Sequence, residues 1–136
     1  METVRQVSYC YATSSNKPGE GARLLDTLRA AGVNLLAVHG FPSARKAQID
    51  LVATDSAALA AAAKGAKIKL SRPKAAFLID GDDEIGAVAS VMDRLARAKI
   101  GVTALTAVCA GLGRYGAILW VAPRDVKKAA KALGAV

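Results

Sequence analysis

Shifted by 67 residues, the 136-residue chain falls onto itself: Gly19 meets Gly86, Ala22 meets Ala89, Asp26 meets Asp93, Leu28 meets Leu95 and Ala31 meets Ala98. Self-similarity at one fixed offset means one supersecondary unit used twice, so the fold must be assembled from two similar halves. Both copies carry apolar residues at matching places, Leu24, Leu25, Leu28 and Ala31 in the first and Val91, Met92, Leu95 and Ala98 in the second. The i, i+1, i+4, i+7 spacing is that of one buried helix face. Polar residues take the opposite side: Glu20, Arg23 and Thr27 in one copy, Ser90, Arg94 and Arg97 in the other.

Around each helix the pattern turns extended. Val4 to Ala12 and Lys74 to Asp80 precede the two helices as β-rich runs, and Val33 to Phe41 and Ile100 to Ala110 follow them. Hairpin loops are expected at Pro42 to Lys46 and at Gly111 to Arg114, with returning strands over Ala47 to Thr54 and Tyr115 to Ala122. A second helix follows in each copy, opened by the Asp55-Ser56 cap in the first and by Pro123 in its first turn in the second. Lys67 to Ser71 is expected to close the first repeat as its fourth strand. No such run follows Leu133-Gly134-Ala135-Val136, so the second repeat lacks a clear fourth strand, and its first strand is expected either bare or covered by an exchanged strand or a second subunit. A hairpin inside each copy excludes a parallel doubly wound sheet. The fold class predicted is α+β: two ferredoxin-like βαββαβ repeats, residues 1–72 and 73–136, each an antiparallel sheet with its helices on one face.

Composition narrows the function. Apolar residues make up 53% of the chain but aromatics only 4%, so the core is made of small aliphatic side chains. No run approaches the roughly 20 apolar residues of a membrane span, and Met1-Glu-Thr-Val-Arg-Gln6 lacks the basic-then-apolar order of a signal peptide; no membrane and a cytoplasmic location are expected. Nineteen Lys and Arg against 11 Asp and Glu give a net charge of +8, which attracts anions of some kind. Lys64, Lys67, Lys69, Arg72 and Lys74 concentrate that charge in mid-chain, where it reads as a solvated rim or as a docking surface for an acidic partner. Cys10 and Cys109 read as packed, reduced thiols. With His39 the single histidine, and with no Cys-x-x-Cys, no metal site is expected. Neither a Gly-x-Ser-x-Gly nor a phosphate-binding loop occurs, so neither catalysis nor a cofactor is expected.

The run Asn16-Lys-Pro-Gly19-x-Gly21-Ala-x-Leu24-Leu25, followed by Ala31-Gly-Val-Asn34-Leu35, closely resembles the start of an ACT domain, a regulatory module with Asn/Asp-Arg/Lys-Pro-Gly at the end of its first strand. Asp83-Glu-Ile-Gly86 and Lys99-Ile-Gly101-Val102 are a degraded version in the second copy. The resemblance implies a stand-alone, non-catalytic sensor of a small molecule, an amino acid, bound where two ACT units meet. It also implies a homodimer joined through edge strands, and an enzyme as the regulated partner. The implied ligand-binding residues are Ser14, Asn16, Lys17, Pro18, Gly19, Glu20, Gly21 and Asn34, with Asp83, Glu84, Ile85 and Gly86 at the second loop. Serine-sensing members hold the ligand between two asparagines, corresponding to Asn16 and Asn34, with a histidine where this chain has Ser14.

Elementary chemistry points to the same loop. A glycine-bearing turn running into a helix presents unpaired N–H groups and a partial positive charge, which suit a carboxylate, and an asparagine amide suits a zwitterion. At the second loop Asp82, Asp83 and Glu84 put negative charge before the helix, so the two loops are expected to differ, the first being the better anion acceptor. Pro-Gly is equally ordinary turn chemistry, and Asn34 equally suits the turn into its strand. Two other functions fit the pattern less well: a regulatory subunit acting by protein contact without an effector, and an RNA-binding βαββαβ module stacking bases on Tyr115 and Trp120. Nucleic acid is disfavoured because the first repeat's third strand, Gln48 to Ala53, has no aromatic to stack on.

Overall fold

The computed structural model describes residues 2–136. Its elements are β1 (Thr3–Ser15), α1 (Glu20–Ala30), β2 (Leu35–Ser43), β3 (Lys46–Ala53), α2 (Ser56–Gly65), β4 (Lys74–Asp82), α3 (Ala87–Arg97), β5 (Val102–Gly111), β6 (Arg114–Val121) and, after a 3-10 turn at Pro123–Asp125, α4 (Val126–Leu133). The fold class is α+β with antiparallel strands, as the hairpin in each copy requires. Two units emerge, one formed by Ser8–Lys74 and the other by Met1–Val7 together with Ala75–Val136.

In the Ser8–Lys74 unit the strands run in the order β2-β3-β1. Cys10 pairs with Leu51 and Ser15 with Lys46, while Val38 pairs with Leu51 on the other side of β3. Leu28 from α1, Leu59 from α2, Val33 from the connection before β2, and Ile49, Leu51 and Ala53 from β3 form its core. Leu28 and Leu51 are 1% and 0% exposed; each such side chain contributes roughly 1.5–3 kcal/mol by leaving water. Asp55 caps α2 as its place in the sequence predicts: Oδ1 accepts from the Ala57 and Ala58 N–H groups at 3.0 and 3.2 Å.

The second unit orders its strands β1-β4-β6-β5. Phe77, Ile79, Leu95 and Leu119 centre its core, closed by Ala129 and Leu133 of α4. The repeat persists in fine detail. Gly19 and Gly86 both take left-handed conformations (φ +91° and +81°) one residue before their helices. At the other end, Val33 N–H donates to Leu28 C=O at 3.0 Å and Ile100 N–H to Leu95 C=O at 2.9 Å, closing both helices with the same wide C-terminal bond.

Of the two sequence expectations about the fourth strands, the first needs correcting and the second resolves to a covered edge. Lys67 to Ser71 is not a strand. Its Ile68 and Leu70 are half-buried and its lysines exposed, so the alternation is real, but only Ser71 bonds to β1. The second repeat, in turn, does not leave β4 bare. No strand follows α4 among the described residues, and β1, whose residues up to Val7 belong to this unit, lies beside β4 instead. Val136 adds one further rung, donating to Val4 C=O at 3.0 Å and accepting from Gln6 N–H at 3.2 Å. Lys74 falls with the Ser8–Lys74 unit and the residues up to Val7 with the other.

Candidate functional site

The β1–α1 loop turns into its helix through a backbone bond, the Glu20 N–H donating to the Lys17 carbonyl at 3.3 Å. Gly19 occupies the N-cap of α1 with no side-chain cap, so the first-turn N–H groups receive no help from a serine or aspartate. Glu20 is the one acidic residue of that first turn, and its carboxylate is bound by Arg23 at 2.5 Å one turn on. A Cβ at Gly19 would meet nothing within 4 Å; glycine is needed there for φ +91° rather than for space.

Ser14, Asn16, Lys17, Glu20 and Gly21 come together on one wall of a cleft of about 260 Å³, facing Phe41 and Pro42 of β2. Pro18 and Gly19 are exposed at the bend above it. Asn34 is elsewhere. It lies before β2, outside the lining of this cleft, and its Nδ2 donates to Thr54 Oγ1 at 2.8 Å.

In the second unit, Glu84, Ile85 and Gly86 line a separate cleft of about 310 Å³ with Glu2, Gly81, Ser90 and Tyr115, and Asp83 is exposed next to them. The acidic cluster there is divided. Asp80 and Asp82 lie on β4, and Arg114 of β6 binds both, at 2.6 and 2.9 Å, so β-sheet pairing accounts for them better than helix-end charge does. Asp83 and Glu84 alone remain exposed in the loop before α3. The arrangement of three acids at the helix end is therefore reduced to two, and the loops still differ in sign of charge.

Other side chains settle smaller questions. Tyr115 and Trp120 are each 6% exposed, which leaves no ring face for a base to stack on. His39 is half-buried beside Phe41, ring centroids 5.3 Å apart. Cys10 is half-buried, but Cys109 is exposed, contrary to the packed thiol expected. Asp83 beside Cys109 pushes that thiol's pKa up, and burial does the same for Cys10, so both stay protonated at neutral pH. Among the described residues, no cluster of three His, Cys, Asp or Glu is placed to hold a metal, and no helix is long and apolar enough to cross a membrane.

What the elements and their order define is a tandem ferredoxin-like α+β architecture. Solved structures share that architecture across nearly the whole chain. A protein from Bacteroides thetaiotaomicron superposes with a TM-score of 0.82 at 16% identity, over 96% of this chain and 88% of its own. The regulatory subunit of aspartate kinase from Thermus thermophilus, in its ligand-free form, gives 0.64 at 14% identity over 98% and 94%. Aspartate kinase from Clostridium acetobutylicum gives 0.59 at 13% identity; 98% of this chain covers 33% of that enzyme. No protein-family model matches the sequence, and no curated protein does so. At such identities the likeness is one of fold.

Proposed function

We propose that the protein is a non-catalytic regulatory sensor that binds a small zwitterion, an amino acid, at the Asn16–Gly21 loop, and that its bound state changes its affinity for an enzyme. The observation that carries this reading is the uncapped α1 N-terminus opening on the cleft that Asn16 and Lys17 line. There the effector's carboxylate meets free backbone N–H groups and Lys17, and Asn16 offers an acceptor for its ammonium. Asn34 has its Nδ2 committed to Thr54, which leaves its Oδ1 as the group it could offer an ammonium. The structural likeness to aspartate kinase regulatory subunits supports the regulatory part of the reading.

β2 ends one sheet with Leu36, Val38 and Phe41 exposed, which supports a dimer joined strand to strand. A thermal-shift screen of the proteinogenic amino acids tests the proposal. One or a few of them should raise the melting temperature, and Asn16→Ala should remove the gain. Stabilisation by none of them, or stabilisation that survives Asn16→Ala, refutes it.

A further inference from the structure

Tyr11 turns its peptide groups away from β3: its N–H donates to Ser71 Oγ at 2.9 Å, and its carbonyl accepts from the Ser71 N–H at 2.8 Å. The β1–β3 register runs without a break from Cys10 to Ser15. Backbone direction alternates along a strand, so Thr13 and Ser15 present their N–H groups along that same edge. No hydrogen bond reaches the Thr13 N–H and C=O there among the described residues. Beyond Ser71 the segment back to Ala66 swings off β1 and leaves a cleft of about 590 Å³. Leu24 and Leu70, which pack on the core of this unit, and Ile68 give it apolar walls. Glu20 is neutralised by Arg23, so exposed Lys67 and Lys69 leave the rim net positive.

The same place in the other repeat is filled. There β4 is the counterpart of this part of β1, and it has the Thr3–Val7 stretch of β1 beside it, with Val4 buried 4% exposed in the core. One repeat therefore shows what the other's cleft accommodates. We infer that the cleft between β1 and Ala66–Ser71 takes up an extended peptide segment of alternating apolar and acidic residues, added as a strand to the Thr13–Ser15 edge. Main-chain bonds to Thr13 supply the strand pairing, apolar side chains enter toward Leu24 and Leu70, and carboxylates face Lys67 and Lys69. The free edge spans about 10 Å, three residues of strand. Ser14 and Glu20 line both this cleft and the effector cleft, but the inference does not rest on the effector reading.

The test uses a fluorescein-labelled Val-Glu-Val-Asp-Val-Glu hexapeptide, followed by fluorescence anisotropy and by amide hydrogen exchange of the full chain. Expected are saturable binding, slowed exchange at Thr13, and binding at least tenfold weaker in Thr13→Pro, which removes an N–H the fold does not use. A Val-Lys-Val-Lys-Val-Lys peptide should bind at least tenfold more weakly than the acidic one, and K67E/K69E should reverse that order. No saturable binding at millimolar peptide, unchanged Thr13 exchange at saturation, or equal binding of the lysine peptide would overturn the inference. So would displacement of the peptide by free glutamate, which would mark the cleft as a small-molecule site. Should Thr13→Pro fail to fold, the wild-type Thr13 exchange decides alone. Asn16→Ala separates the two readings: it should abolish stabilisation by an amino acid and leave peptide binding as it was.

Discussion

Asn34 and Thr54 clasp each other across 20 residues of chain: the Asn34 amide donates to Thr54 Oγ1 at 2.8 Å, and the Thr54 N–H donates to the Asn34 carbonyl at 2.9 Å. The pair ties the entry to β2 to the exit from β3, fixing the angle at which the hairpin leaves the helices. Both residues are exposed, so the side-chain bond is worth about 0.5–1.5 kcal/mol. Asn34→Ala should lower the melting temperature by a few degrees in the absence of any ligand. An unchanged melting curve would show that the clasp does not contribute to the fold.

A tighter constraint sits in the other unit. A Cβ built on Gly81 would lie 2.8 Å from Cε1 of Tyr115, whose ring is 6% exposed and packed in the core. The ring cannot give way without moving its neighbours, so Gly81→Ala should destabilise by about 1–3 kcal/mol. Gly116→Ala is the control, since its Cβ would come no closer than 3.9 Å to the Ile79 carbonyl. Urea unfolding of both variants checks the contrast, and equal midpoints would remove the steric argument.

The repeat was legible because helix periodicity and left-handed glycines are local: Gly19 and Gly86 mark the same backbone event in both copies, and Leu28 and Leu95 the same buried face. The Asp55 cap was legible for the same reason. What the sequence concealed was partnership at a distance. The extended run Thr3–Ser15 looks like one strand from either end, and nothing in its alternation tells that its first residues serve the second repeat. Lys67 to Ser71 carries a genuine amphipathic alternation, yet alternation reports burial and not whether the backbone is paired. At the site, the loop from Ser14 to Gly21 was legible as a unit, since a Pro-Gly turn before a helix is a local motif. The commitment of Asn34 to Thr54 was not, because its partner lies 20 residues on.

Tyr115 also sets a limit at alkaline pH. Burial first, and the nearby negative charge of Glu2 next, push its phenol above the ordinary value of 10.0. The neutral phenol is the form the fold favours. Its contribution is therefore complete below pH 10 and is lost as the pH climbs from there through the raised folded value. Tyr115→Phe should lose less stability than the wild type between pH 9 and 11, the difference in urea midpoints being the readout because the rest of the chain is common to both proteins. Parallel curves would mean that the phenol ionises as easily folded as unfolded.

Val4 distinguishes the two ways of dividing the chain. A cut at residues 72/73 would put it with the first repeat, whereas the structure buries it, 4% exposed, in the cluster of Phe77, Ile79 and Leu119. Removing its two terminal methyls costs about 1–3 kcal/mol, the transfer term plus an unfilled hole. Native-state hydrogen exchange of Val4→Ala should show that loss in the amides of β4 and β6, which share its core, and a smaller one in β3 and α1, which are built on Leu28 and Leu51. The opposite distribution, with β3 and α1 losing protection first, would mean that the N-terminal strand stabilises the repeat that follows it in sequence rather than the one that closes on it at the end of the chain.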